Sequence, residues 1–268
     1  MQCATVGGGL THVKVGVLLP VRNALSTIET CLASITDQTY DNTHVYVVDD
    51  ASDDGTGEFL DDRPDWYHML GRFTKRVGWP RALNSAARIA IYDGCDALFV
   101  MNADDFLRLD CIGQCVDELS RCPAIAFTVP LVQQIGGENV VQQSQASVTL
   151  GDFVDHTPLV AFCMIRSAAW ETVDGYHVDV NLSPLGNEDP MAGYNEIDFY
   201  IRLLKAGYRY TVLNHCRPLV YYRMHPDQLH RSIVSRHNEA LTLIHRKHPE
   251  ILTTPPWREE QEGAPGND

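Results

Sequence analysis

The sequence predicts an α/β fold, a mostly parallel sheet flanked by helices and fused to a second half of different character. Three observations carry this reading. Val45, Val47 and Val48, and again Ala97 to Met101, make short, nearly continuous apolar runs, the pattern of strands buried on both faces. Each run stops in a polar, acidic turn: Asp49 to Thr56 reads DDASDDGT, and Asn102 to Asp105 reads NADD. Helical stripes separate the runs, so the first half reads as right-handed β-α-β units. Open α/β sheets bind ligands outside the carboxyl ends of their strands, so both turns stand where chemistry is expected, at one sheet edge.

The elements follow in order. Residues 1–11 contain Gly7, Gly8 and Gly9 but precede the first strand, and read as a flexible tail. Val13 to Leu19 is a strand closed by Pro20-Val21-Arg22-Asn23. A helix from about Ser26 to Gln38 follows, with Ser26 and Glu29 as a capping box and Leu25, Ile28, Leu32 and Ile35 as its apolar stripe. After the strand at Val45 and its acidic turn come a short helix, Gly57 to Asp61, and a strand, Trp66 to Leu70. Arg76 to Arg81 is a loop, Pro80 suits a helix start, and Ala82 to Tyr92 is helical. A helix from Asp110 to Leu119 closes the first half, 12–122.

The second half, 123–231, predicts strands at Ala124 to Val132 and Val140 to Val148 around Gly136-Gly137. Phe162 to Ile165 then leads into a helix, Ala168 to Val173, ended by Gly175. Tyr176 to Tyr194 is long enough for a lid or binding loop. Glu196 to Ala206 is a helix capped by Gly207, Tyr208 to Leu213 and Leu219 to Tyr222 are strands, and Ser232 to His248 is a last helix within 232–254. Residues 255–268 read as a disordered tail.

Composition narrows the partners. The chain of 268 residues can bury a full core, and its 44% hydrophobic and 21% charged content is that of a soluble globular protein. A net charge of -14 makes nucleic acid a poor partner. No apolar run approaches the roughly eighteen residues that cross a bilayer, and the amino terminus lacks a basic region followed by an apolar one, so a cytoplasmic protein is expected. The eight cysteines include no Cys-x-x-Cys pair and read as small buried hydrophobes.

The order of motifs resembles the family-2 glycosyltransferases of the GT-A fold over residues 13–235. Pro20 to Asn23 matches the family's opening, Gln38-Thr39-Tyr40 the end of its first helix, and Val48 to Thr56 its Val-Asp-Asp-x-Ser-x-Asp-Gly-Thr. Ala82-Leu83-Asn84 follows, with Arg81 where Lys is common. The metal motif Asp-Ala-Asp-Asp is here Asn102-Ala103-Asp104-Asp105, so one acid is missing. Trp170 to Tyr176 looks like the segment before the acceptor loop, Glu196-Ile197-Asp198 with Arg202 like the catalytic acidic helix, and Tyr222-Arg223-Met224-His225 like the late Tyr-Arg-x-His.

The resemblance implies a Rossmann-like sheet whose first half holds a nucleoside diphosphate sugar, with a UDP-sugar the family's commonest donor. Pro20, Val21, Arg22, Asn23, Asp49 and Asp50 would line the nucleotide, with Arg81, Asn84, Asn102, Ala103, Asp104 and Arg223. Asp104, with Asp105 or His225, would hold Mn²⁺ or Mg²⁺ to neutralise the leaving diphosphate, because no Gly-x-x-x-x-Gly-Lys loop is present. Where the family often has Glu-Asp the chain has Asn195-Glu196, so Glu196 stands at the base of an in-line, inverting displacement. Asp198, two residues on, is the structural or catalytic alternative. The second half would take the hydroxyl acceptor, which the sequence does not identify, and a homodimer is left open. Gln228-x-x-Arg231 is followed by Ser232 in place of the Trp of processive synthases, which argues against processive synthesis. Two other classes compete: a sugar-nucleotide-binding module without catalysis, and a nucleotidyltransferase, which would show a Gly-rich loop after the first strand.

Overall fold

The computed structural model describes residues 12–178, 194–214, 217–224 and 237–254. Strand β1 (Val15–Val21), helix α1 (Ile28–Thr36), β2 (Thr43–Asp49), α2 (Thr56–Asp61), β3 (Met69–Arg72), α3 (Trp79–Tyr92) and β4 (Ala97–Val100) build the nucleus. β1 pairs in parallel with β2 and β4, and β2 with β3. The next elements are β5 (Phe106–Leu107), α4 (Cys111–Arg121), β6 (Ile125–Pro130), β7 (Val132–Ile135), β8 (Val141–Gln142), β9 (Met164–Arg166) and α5 (Ser167–Thr172). Then come α6 (Asn195–Lys205), β10 (Arg209–Leu213), β11 (Val220–Arg223) and α7 (His237–Lys247). The main sheet runs β10-β6-β9-β4-β1-β2-β3, with β9 antiparallel to both of its neighbours. Its second-half strands extend the nucleus without a break.

The continuous apolar runs have a simple cause. Successive residues of a strand face opposite sides of the sheet, and here both sides are covered. Val17, Leu19, Val45, Val47 and Phe99 pack on one face with Ile28, Leu32 and Ile35 of α1 and with α4, whereas Leu18, Tyr46, Val48, Leu98 and Val100 pack on the other with Leu83, Ala86, Ala87 and Ala90 of α3. α3 lies close because its contact residues are small and β1 carries Gly16, where a Cβ would stand 2.9 Å from the Ala90 Cβ.

A second sheet, β5-β11-β7-β8, forms where two strands leave the first. The expected strand Ala124 to Val132 breaks at Leu131: β6 stays in the main sheet beside β10, and β7 continues in the second beside β11. The Leu131 carbonyl marks the crossing by accepting the Leu219 and Val220 amides.

Several local expectations are corrected. The Ser26/Glu29 capping box does not form: α1 begins at Ile28, and the Ala24 carbonyl accepts the amides of Thr27 and Ile28. The entering chain is already held by the acidic turn, which takes the Leu25 amide on Asp54 and the Ala24 amide on Thr56. Leu25 is consequently exposed, and Cys31 joins the stripe instead. Pro64–Trp66 is a 3₁₀ turn, so the third strand starts only at Met69. Beyond Gln142 the predicted strand to Val148 leaves the sheet, with Ser144 and Gln145 bonding Val160 and Pro158. The two tails, most of the loop 176–194, and the start of the expected last helix lie outside the described residues. Among the described residues no helix is long and apolar enough to cross a membrane.

Candidate active site at the strand ends

The pairing register, Val21 opposite Asp49 and Leu18 opposite Val100, brings the ends of β2 and β4 to one edge on either side of β1. The first acidic turn is heavily self-bonded there. Asp49, 4% exposed, accepts the Ser52 amide and hydroxyl on one oxygen, at 2.9 and 2.6 Å. Its other oxygen stands 3.9 Å from Arg72. Asp50, 3% exposed, takes the Val77 amide on Oδ1 at 2.6 Å and the Gly78 amide on Oδ2 at 2.8 Å, tying the loop before α3 to the sheet. Arg22 donates to the Asp50 and Ala51 carbonyls at 2.7 and 2.6 Å and so secures Ala51, whose φ of 59° lies in the left-handed region a β-carbon disfavours. Asn23 and Asp53 bond each other twice, and Pro20 and Val21 are buried in β1.

The second turn is different. Asp105 is 1% exposed, with the Arg223 amide on one oxygen at 2.8 Å and the Asn102 amide group on the other at 3.1 Å. Burial, and next the charge of Asp104, push the Asp105 carboxyl well above the usual carboxylate range, although its hydrogen bonds pull the other way. Asn at 102 fits this surrounding, because it donates where an Asp would bring a third carboxylate into contact. Asp104 itself is half-buried at the rim, and Arg223 Nε donates to its backbone carbonyl at 3.0 Å. Ala103 is buried beneath.

α6 supplies the remaining acids, and its two candidates have opposite surroundings. Asp198, 1% exposed, takes Lys247 Nζ and His248 Nε2 on Oδ1, each at 2.9 Å, and Arg202 Nε on Oδ2 at 2.8 Å, with His177 Nδ1 3.3 Å away. Burial alone would raise its pKa, but these four donors outweigh that and hold it far below the usual range. Glu196 is 7% exposed, and its charge, after burial and the charges of Asp105 and Asp104, helps push up the Tyr222 phenol. The same carboxylate acts on Tyr176 and Tyr200 and on the buried Cys163 thiol. The charges of the β4 turn and of α6 thus both act on the Tyr222 phenol.

Other matched residues brace the site. Gln38 bonds the Ser34 and Arg108 carbonyls and receives the Ile112 amide, fastening α1 to α4. Asn84 donates to the Tyr176 carbonyl at 2.6 Å and accepts its amide at 3.0 Å. Gly175 makes that contact possible, since at φ 59° a Cβ would stand 2.7 Å from Asn84 Oδ1. Trp170 and Tyr176 pack in the core beside Phe199, and Arg81 is exposed on α3. His225 lies outside the described residues, among which no three His, Cys, Asp or Glu side chains group to hold a metal. Motif reading missed the Val77 and Gly78 amides, Tyr222, and Lys247 and His248. Of these only Tyr222 carried a signal, as the first residue of Tyr-Arg-x-His.

A Rossmann-like sheet with acidic turns at its carboxyl edge, extended by a small second sheet, is the architecture of the GT-A class of glycosyltransferases. Glycosyl transferase family 2 matches residues 16–169, more than half of the chain, and the protein belongs to that family. Escherichia coli chondroitin synthase is 24% identical over 207 residues, 72% of this chain, of which this chain spans only 27%. The Pyrobaculum calidifontis mannosyltransferase PcManGT, in complex with GDP-Man and Mn²⁺, superposes with a TM-score of 0.66 at 20% identity, over 94% of this chain and 72% of its own. S. aureus TarS 1–349 in complex with UDP-GlcNAc gives 0.63 at 15%, over 90% and 74%. A longer TarS chain is covered to 43%. At these identities the two structures speak for the fold.

Proposed function

We propose that this glycosyltransferase moves a sugar from a nucleoside diphosphate sugar to an acceptor hydroxyl with inversion, using a divalent cation at Asp104 and Glu196 as base. The observation that carries it is the division between the two first-turn acids of α6: Asp198 is enclosed by Arg202, Lys247 and His248 and is engaged structurally, which points to Glu196 as the base. The donor set suits a hard cation: Asp104 at the rim, the Asn102 amide oxygen turned away from Asp105, and His225 from the late motif. Magnesium and manganese are commonly held by one or two carboxylates together with substrate phosphates, so a single acid is sufficient. Bound there, Mn²⁺ or Mg²⁺ supplies charge to the leaving diphosphate.

The protein's own residues do the rest. Pro20, Val21, Arg22 and Asn23 with the Asp49–Asp50 turn form the nucleotide edge, and Arg81, Asn84, Ala103 and Arg223 border it. Because Asn84 and Asp50 are held by backbone groups, their contribution is to shape that edge. Glu196 takes the acceptor proton from the face opposite the diphosphate. A uridine donor is favoured by TarS, crystallised with UDP-GlcNAc, and guanosine is the alternative that PcManGT represents. The testing experiment is release of nucleoside diphosphate from a panel of UDP-, GDP- and dTDP-sugars, with Mn²⁺, Mg²⁺ or chelator. Metal-dependent release from one donor is expected. Absence of both release and metal-dependent nucleotide binding across the panel contradicts the reading.

A further inference from the structure

We propose that Lys247 and His248 are positioning residues for the Glu196 carboxylate, fixing the first turn of α6 through their grip on Asp198; this rests on the transferase reading and deepens it. Glu196 and Asp198 share that first turn. Arg202, on the same helix, links Asp198 to α6 itself and to the Val173 carbonyl. Lys247 and His248 come from the end of α7, about fifty residues along the chain, and both reach Asp198 Oδ1 at 2.9 Å. Lys247 also contacts His177 Nδ1 at 2.7 Å.

A second grip lies further along the helix. Glu250, just past α7, pairs with Lys205 at 2.5 Å. Positions 198 and 205 are two turns apart on one face, so the 247–250 segment holds α6 against both sliding and rolling. Rolling is the motion that matters for a base. A carboxylate about 6 Å from the helix axis moves about 1 Å for each 10° of roll, and a misplacement of that size can cost roughly a hundredfold in rate. At its centre Asp198 is 1% and His248 3% exposed, so the grip on Asp198 is screened less than the outer Lys205–Glu250 pair, which is partly exposed.

The test compares Lys247→Ala/His248→Ala with the conservative Lys247→Arg/His248→Gln, each confirmed folded by thermal melting. UDP-N-acetylglucosamine and GDP-mannose serve as donors, UDP and GDP as calorimetric probes, and hydrogen exchange of α6 amides reads the helix directly. The alanine pair is expected to lose ten- to a hundredfold in kcat, with donor KM and nucleotide affinity within about twofold of wild type. α6 should exchange faster while β1 to β4 do not, and the conservative pair should recover most of both. Unchanged α6 exchange, or nucleotide affinity falling in step with kcat, overturns the proposal. If wild type turns over neither donor, faster exchange confined to α6 retains the clamp and removes the transferase reading alone.

Discussion

Two turns close parallel strands at one edge of one sheet, and they use their acids in opposite ways. After β2, Asp49 and Asp50 are consumed by Ser52 and by the Val77 and Gly78 amides, and Asp53 and Asp54 by Asn23, Leu25 and Thr56. After β4, Asp105 is buried and hydrogen-bonded, while its neighbour Asp104 is half-buried and takes Arg223 Nε on its backbone carbonyl. Within α6, Asp198 is enclosed by donors from three segments, and Glu196, in the same first turn, is the base proposed above. What an acid at a strand end does is therefore read from the groups that hold it: acids held by backbone amides or by cations from other segments brace the fold around the strand ends.

Removing an acid of each kind separates the two roles. Asp104→Ala should lower turnover by roughly a thousandfold while the melting temperature stays near wild type, because a unit-charge contact at 4 Å with an effective dielectric of 20 is worth about 4 kcal/mol. Steady-state kinetics in saturating Mn²⁺ checks it. Asp198→Asn should cost about 2–3 kcal/mol of stability in denaturant unfolding, since the partly buried Arg202 and Lys247 lose the buried carboxylate they share. Asp50→Ala should cost about 2–3 kcal/mol, the loss of two charge-assisted hydrogen bonds to loop amides, and should weaken nucleotide binding only through loop disorder.

The smallest effect concerns Asn102. The Asp105 pKa is raised in the folded chain, so its share of stability is complete below about pH 4 and is lost as pH rises through the raised value. Asn102→Asp adds a like charge to that carboxylate and removes its donor. Its penalty should be smallest in acid, where the carboxyls are protonated, and grow as pH rises through the raised value, as urea unfolding over a pH series would measure.

Much of the fold was legible because it rests on local pattern. β1, β2 and β4 are apolar at every core position since both faces are covered, and the alanine stripe of α3 matches its close approach to Gly16. The false capping box shows where local reading fails: Ser26 and Glu29 have the right spacing, but the Asp54 and Thr56 side chains had already claimed the preceding amides. In the site, residue types were legible and their partners were not. Asn84 is a polar residue at a helix start by sequence, and only the fold reveals that it holds Tyr176, 92 positions away. Asp198 likewise looks like a possible base until Lys247 and His248 arrive from the last helix. Hydrogen bonds between distant segments leave no periodicity, so pattern cannot find them.

The most direct measurement compares Glu196→Gln with Asp198→Asn for folding, nucleotide affinity and turnover. The account predicts that Glu196→Gln melts like wild type, binds the nucleoside diphosphate with unchanged affinity and transfers no sugar, whereas Asp198→Asn is destabilised. A Glu196→Gln protein that retains turnover, beside a fully stable Asp198→Asn protein that has lost it, would contradict the assignment.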